Sequence, residues 1–168
     1  YHTDKHEPKE TMHNASTIAG MAFANAFLGI NHSLAHKIGA EFNIPHGYAN
    51  AILMPHVIRY NAINNGKTQV WAKYEYFRAD EDYARIAKLI GCEGETTEEL
   101  VEALVQEVIK LGQDLGLTLS IKDQGVSREE FEAKVDKLAE LAYEDQCTVA
   151  NPKEPMIEEL KEILWQAY

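Results

Sequence analysis

The residues best able to do chemistry are His32-Ser33-Leu34-Ala35-His36, followed ten residues later by Pro45-His46-Gly47. Three of the seven histidines fall within fifteen residues, in a run that is otherwise small and apolar. Neutral imidazole is the commonest protein ligand for a transition metal, and two histidines four apart on a helix share one side of it. A third histidine after a short turn can return to the same point. Helical periodicity alone pairs His32 with His36 as chelating neighbours. Nitrogen and oxygen donors without thiolate select a borderline or harder divalent ion such as Fe²⁺, Zn²⁺ or Mn²⁺. A catalytic site keeps one position open so that the metal can polarise a substrate oxygen. The two cysteines, Cys92 and Cys147, are far apart in the chain and are not expected to join the site. Gly39 and Gly47 would allow close backbone approach there; helix packing or a helix boundary is the plainer explanation, and for Gly39 the preferred one.

The elements that must position these residues are helical. From Thr11 to Gly29, small and apolar residues (Ala15, Ile18, Ala19, Ala22, Phe23, Ala26, Phe27) recur at helical spacing around much of the circumference, which predicts a buried helix. A second helix is expected from His32 to Phe42, stopped at Asn43-Ile44-Pro45 because the residue before proline avoids the α region. A third runs from Gly47 to Tyr60, and Asn61 to Thr68 is a loop around Asn64-Asn65-Gly66. Further helices are expected over 80–90, over 97–115 behind a Thr96-x-x-Glu99 capping box, and from Ser127-x-x-Glu130 to Tyr143. Pro155 suits the first turn of a last helix, Met156 to Ala167. The one β-like run, Leu117 to Ile121, is short, so the fold class is all-α. Residues 1–10 read as a lead-in and 11–168 as one helical metal- and substrate-binding domain.

Composition excludes several partners. There are 27 acidic residues against 16 basic, a formal net charge of -11, with no basic cluster to neutralise phosphates. Nucleic acid and anionic membranes are therefore not expected as partners, and the acidity reads as solvated helix faces such as Glu129-Glu130. No apolar run reaches the roughly 18 residues of a membrane span. The opening residues lack a signal-peptide pattern. Two cysteines without redox or metal spacing suit a reducing, cytoplasmic location. No Gly-rich strand-to-helix turn of the dinucleotide or P-loop kind is present, so any nucleotide must be held largely by something else.

The run Gly29-Ile-Asn-His32-Ser-Leu-Ala-His36-Lys-Ile-Gly39-Ala-Glu-Phe-Asn-Ile-Pro45-His46-Gly47-Tyr-Ala-Asn-Ala-Ile-Leu-Met-Pro-His-Val closely resembles the signature of the iron-containing alcohol dehydrogenases. Met12-His-Asn-Ala-Ser-Thr-Ile-Ala-Gly20-Met-Ala-Phe-Ala-Asn25-Ala-Phe and Asp145-Gln-Cys-Thr-Val-Ala-Asn-Pro152 resemble the alcohol dehydrogenase half of the family's bifunctional aldehyde-alcohol branch. The resemblance covers nearly the whole chain from Met12 onward. It implies the helical C-terminal domain of a dehydroquinate synthase-like fold, without the N-terminal α/β domain that holds NAD. In the family an Asp-x-x-x-His pair and two further histidines hold the metal; the last two match His32 and His46. His36 matches a histidine on the substrate side, taken as the catalytic proton-relay or positioning group.

Nothing in this sequence matches the Asp-x-x-x-His pair. Asp4 and His6, with His2, have the wrong spacing, while His13 and His56 lie outside the motif and are read as structural. The activity implied is NAD-dependent interconversion of an aldehyde such as acetaldehyde and a primary alcohol such as ethanol, with Fe²⁺, or Zn²⁺ in its place, acting on the substrate oxygen. Phe42 and Ile44 are candidates for an apolar wall, although core packing explains them too. Expected partners are the small substrate, the NAD-binding domain, and further copies in an oligomer or filament. A non-catalytic helical assembly module is the alternative. A metal-dependent hydrolase is a third reading, which lacks paired His-Asp motifs here.

Overall fold

The computed structural model describes residues 4–67 and 76–168. These form seven α-helices: α1 (His6–Ala26), α2 (Ile30–Phe42), α3 (His46–Ala62), α4 (Ala79–Leu89), α5 (Thr97–Asp114), α6 (Arg128–Tyr143) and α7 (Ile157–Ala167). Short 3₁₀ turns stand at Lys122–Gln124 and Thr148–Ala150. The described residues form no β-strand, and Leu117 to Ser120 are irregular. The all-α expectation therefore holds. No described helix is long and apolar enough to cross a membrane.

Helix α3 is the central strut, packed against α2, α4, α5 and α7. It serves two cores. The larger joins α2, α3, α6 and α7 through Leu34, Ile38, Ile52, Leu53, Phe131, Leu160 and Leu164, each under 2% exposed. Phe131 is its aromatic centre, stacked on Tyr168 at 4.5 Å and edge-on to Trp165 at 4.9 Å. Phe42 lies 6.3 Å from the Phe131 ring and so belongs to this core rather than to a substrate wall. The smaller core joins the end of α3 to α4 and α5 through Ile58, Ala84, Ala87, Leu100, Leu104 and Val105.

Local chemistry sets most helix ends. The expected capping box opens α5: Thr96 Oγ1 accepts from the Glu99 amide at 3.1 Å, and Glu99 Oε2 accepts from the Glu95 and Thr96 amides. At α6 the Ser127 hydroxyl caps the Glu130 amide at 3.2 Å. The last helix begins one residue later than expected. Met156 is its N-cap, which leaves Pro155 outside the first turn, and the Glu159 carboxylate reaches back to the Met156 amide at 2.7 Å. Helix α2 ends at Asn43, whose left-handed backbone (φ 54°) breaks the helix two residues before Pro45. The third helix extends beyond its expected ends, from His46 to Ala62.

The expectation of a buried first helix is not met. Helix α1 starts at His6 and has no buried residue: Met12 is 70% exposed, Ile18 65% and Met21 65%. No other described helix packs extensively against it. Its all-round apolar pattern lacks a described neighbour to cover it, because periodicity reports the wish to be buried and not the presence of a partner. Between α1 and α2 the chain turns at Phe27 (φ 63°) and Gly29. A Cβ at Gly29 would lie 2.8 Å from Asn151 Oδ1, so glycine lets α2 start hard against a buried side chain.

Candidate metal centre

The three histidines are brought together by two helices and one turn. His32 and His36 stand one turn apart on α2, and His46 is the first residue of α3. The left-handed Asn43 and extended Pro45 fold the connection back, so that His46 arrives beside the earlier pair. Ring centroids are 5.4 Å apart for His32 and His46, 5.5 Å for His36 and His46, and 6.1 Å for His32 and His36. The contact across the turn is thus at least as close as the one along the helix.

Imidazole nitrogens suit a divalent transition metal; among the described residues the three whose ligand atoms lie within 4.8 Å of one another are His36, Asp145 and Cys147. Burial first, and then the charges His46 and His36 would carry, lowers the His32 pKa against the opposing pull of Asp145. Its imidazole is held in the neutral form that ligates. Asn50 sits one turn after His46, donating its Nδ2 to the His46 carbonyl at 3.0 Å and lying 3.2 Å from His46 Nε2. Asn31, beside His32, donates to Asn50 Oδ1 at 2.8 Å and so ties α2 to α3 at the site. Next to the histidines is a shallow recess of about 310 Å³ lined by Ala35, His36, Gly39, Ala40, Ile44 and His46. Its walls are small or apolar apart from the two imidazoles. That leaves room for a small substrate beside them. Ile44 is both a core residue, 4% exposed, and part of this wall.

The glycines have different reasons. A Cβ at Gly39 would lie 3.1 Å from the Ile44 carbonyl, so the close approach there is helix against turn. Gly47 has open space around its missing Cβ and makes no close approach.

The structure adds residues that spacing did not reveal. Asp145, 109 positions after His36, follows α6 and places Oδ2 3.2 Å from His36 Nδ1 and 2.7 Å from Lys37 Nζ. Its Oδ1 accepts from the Cys147 amide at 2.9 Å, closing an Asx turn. Burial would raise the Asp145 pKa, but hydrogen bonds from Lys37, Cys147 and His36 outweigh it and hold the carboxyl well below the usual carboxylate range. Cys147 must also be corrected. Far from His36 in sequence, it is close in space, and ligand atoms of His36, Asp145 and Cys147 lie within 4.8 Å of one another. The thiol is 2% exposed, and burial with the neighbouring Asp145 charge pushes its pKa up to about 11. Without a cation beside it the thiol is neutral at neutral pH. The signal for both was the Asp145-Gln-Cys147 run within the family-like segment, whose partner on α2 only the fold supplies.

The remaining histidines stay apart from this cluster. His13 is exposed on α1. His56 is half-buried in a separate cleft of about 390 Å³ with Gln113, Asp123 and Gln166, and burial lowers its pKa. Asp4 and His6 are exposed at the start of the chain, and His2 lies outside the described residues.

Comparison with known proteins gives this arrangement its context. The chain is 54% identical over 160 residues to the aldehyde-alcohol dehydrogenase of Streptococcus pneumoniae serotype 4, covering 95% of this chain and 18% of that protein. It is 47% identical over 173 residues to the bifunctional aldehyde-alcohol dehydrogenase of Escherichia coli K12, covering all of this chain and 19% of that protein. A crystal structure of 1,3-propanediol oxidoreductase superimposes with a TM-score of 0.77 at 36% identity, over 92% of this chain and 36% of that one. The chain thus spans about a fifth of the length of these two curated relatives. The family model for the C-terminal region of the Fe-containing alcohol dehydrogenases matches residues 1–168, and the chain belongs to that family.

Proposed function

We propose that this chain is the metal- and substrate-binding part of an alcohol dehydrogenase that interconverts acetaldehyde and ethanol with NAD, within a bifunctional aldehyde-alcohol enzyme. The observation that carries the proposal is the convergence of His32, His36 and His46 beside a small recess. His32 and His46 serve as metal ligands, with Fe²⁺ as the ion and Zn²⁺ as the alternative. A divalent ion held there supplies Lewis-acid polarisation of a substrate oxygen. His36, one turn from His32, acts on the hydroxyl proton, passing it between substrate and solvent. Ala35, Gly39, Ala40 and Ile44 shape the recess against the carbon chain. The NAD-binding domain is the partner that brings the nicotinamide, since no described segment offers a pyrophosphate-binding turn. The working form is a cytoplasmic oligomer or filament.

The test is turnover by two proteins. The chain joined to its NAD-binding domain and loaded with iron is expected to form NADH from ethanol, and the 168-residue chain alone is not. Metal-dependent hydrolysis without nicotinamide by the joined protein would overturn the assignment. One observation favours a second role in assembly: Met12, Ile18 and Met21 on α1 present exposed apolar surface. Association with no turnover by the metal-loaded joined protein would leave that role alone.

A further inference from the structure

The geometry around Asp145 points to a function that the histidine motif does not contain. We propose that Asp145 is the positioning residue for His36, its carboxylate accepting the Nδ1 proton and so fixing the tautomer whose lone pair is on Nε2. This rests on His36 being the residue that acts on the proton.

Four observations carry it. Asp145 Oδ2 lies 3.2 Å from His36 Nδ1, and an ionised carboxylate accepts but cannot donate, so Nδ1 must carry hydrogen. In the neutral ring that leaves Nε2 as the one nitrogen able to take a proton. The carboxylate is itself immobilised. Oδ1 closes the turn onto the Cys147 amide at 2.9 Å, and Lys37 Nζ pins Oδ2 at 2.7 Å from the residue next to His36. Behind it, Thr148 Oγ1 donates to the Ala142 carbonyl at 2.6 Å and lies 2.8 Å from Ser33 Oγ, locking this turn to α2. Finally, the Asp145 side chain is 8% exposed while that of His36 is 36% exposed. The support is buried and the working ring reaches solvent, the arrangement in which an orienting hydrogen bond holds a ring for proton transfer.

The same carboxylate lies within ligand distance of His36 and Cys147, which raises metal binding as a rival use. The bonds in place oppose that use. Lys37 already brings a positive charge to Oδ2 at 2.7 Å, where a cation would have to displace it.

The test reads the ring directly. Long-range ¹H–¹⁵N correlation spectra of the ¹⁵N-labelled, metal-free chain at pH about 8.5, two units above the ordinary imidazole value of about 6.5, report which ring nitrogen bears hydrogen. The expected result is Nδ1–H at His36 in the unaltered chain. Asp145→Ala is expected to move the population toward Nε2–H, and Lys37→Met, which removes the other partner of Oδ2, to leave it on Nδ1. Nε2–H in the unaltered chain overturns the proposal, whether or not Asp145→Ala folds, and so does Nδ1–H persisting in a folded Asp145→Ala chain. In the full enzyme, Asp145→Ala is expected to keep stoichiometric metal and the substrate KM while kcat falls about tenfold or more, with little added loss in a His36→Gln background. Metal lost from Asp145→Ala would make the carboxylate a ligand and overturn the proposal. If the unaltered enzyme oxidises no alcohol, the proposed function fails while the spectra still decide the tautomer.

Discussion

Replacing Asn151 with alanine should destabilise the fold more than any single exposed substitution. Asn151 is 1% exposed and sits where three segments meet. Its Oδ1 accepts from the Ile30 amide at 3.3 Å, at the start of α2, and from Asn61 Nδ2 at 3.1 Å, near the end of α3. Its Nδ2 donates to Asn61 Oδ1 at 2.8 Å and to the Lys153 carbonyl at 2.7 Å. Alanine removes these four hydrogen bonds at once, at about 0.5–1.5 kcal/mol net each, or about 2–6 kcal/mol together. A water entering the polar space left behind recovers part of this, so the expected loss is about 3 kcal/mol. That is a large share of the roughly 5–15 kcal/mol by which domains are stable. With a urea slope of about 2 kcal/mol/M, the unfolding midpoint should fall by about 1.5 M at unchanged slope. A fall below about 0.5 M would mean that the network is replaced without cost, and the reasoning would fail. Because Ile30 lies two residues before His32, the same variant should also loosen the placement of the histidine cluster.

Other outcomes follow from the same structure. Arg59 holds Glu102 through paired bonds of 2.7 and 2.9 Å, and hydrogen bonding from Arg59, against a smaller effect of burial, lowers the Glu102 pKa to about 2. The folded value is below the unfolded one, so the stabilisation is present above the ordinary carboxylate value of about 4.3 and is lost as pH falls toward 2. A carbonyl-carbon NMR titration should place the Glu102 midpoint near 2, and Arg59→Gln should return it toward the ordinary value. For the thiols, a disulfide reagent at neutral pH should label the partly exposed Cys92 quickly and Cys147, with its pKa near 11, only on unfolding. Equal labelling rates in the folded chain would contradict the placement of Cys147.

Much of this was legible because it is local. Capping at Thr96 and Ser127 needs only residues three apart; the full box forms at Thr96, while at Ser127 only the hydroxyl cap of the Glu130 amide does. The histidine cluster was also legible, since its members share one helix and the turn that follows. Two kinds of information were not. Asp145 meets His36 across 109 positions, a pairing set by how α6 packs against α2, and nothing in spacing can announce it. Helix α1 fails in the opposite direction. Its pattern reports what it would bury against, while the described residues do not supply the surface. Pro155 shows a finer limit. A proline tolerates either side of a helix start, and the Glu159 bond to the Met156 amide decided which.

The central claim, that His32 and His46 hold the metal while His36 does not, is tested most directly by elemental analysis of the iron-loaded full enzyme carrying His46→Ala, with His36→Gln prepared alongside. Removing a ligand from the first shell should abolish stoichiometric metal in His46→Ala. His36→Gln should keep its metal and lose turnover. Full metal occupancy in His46→Ala, or loss of metal from His36→Gln, would contradict the assignment.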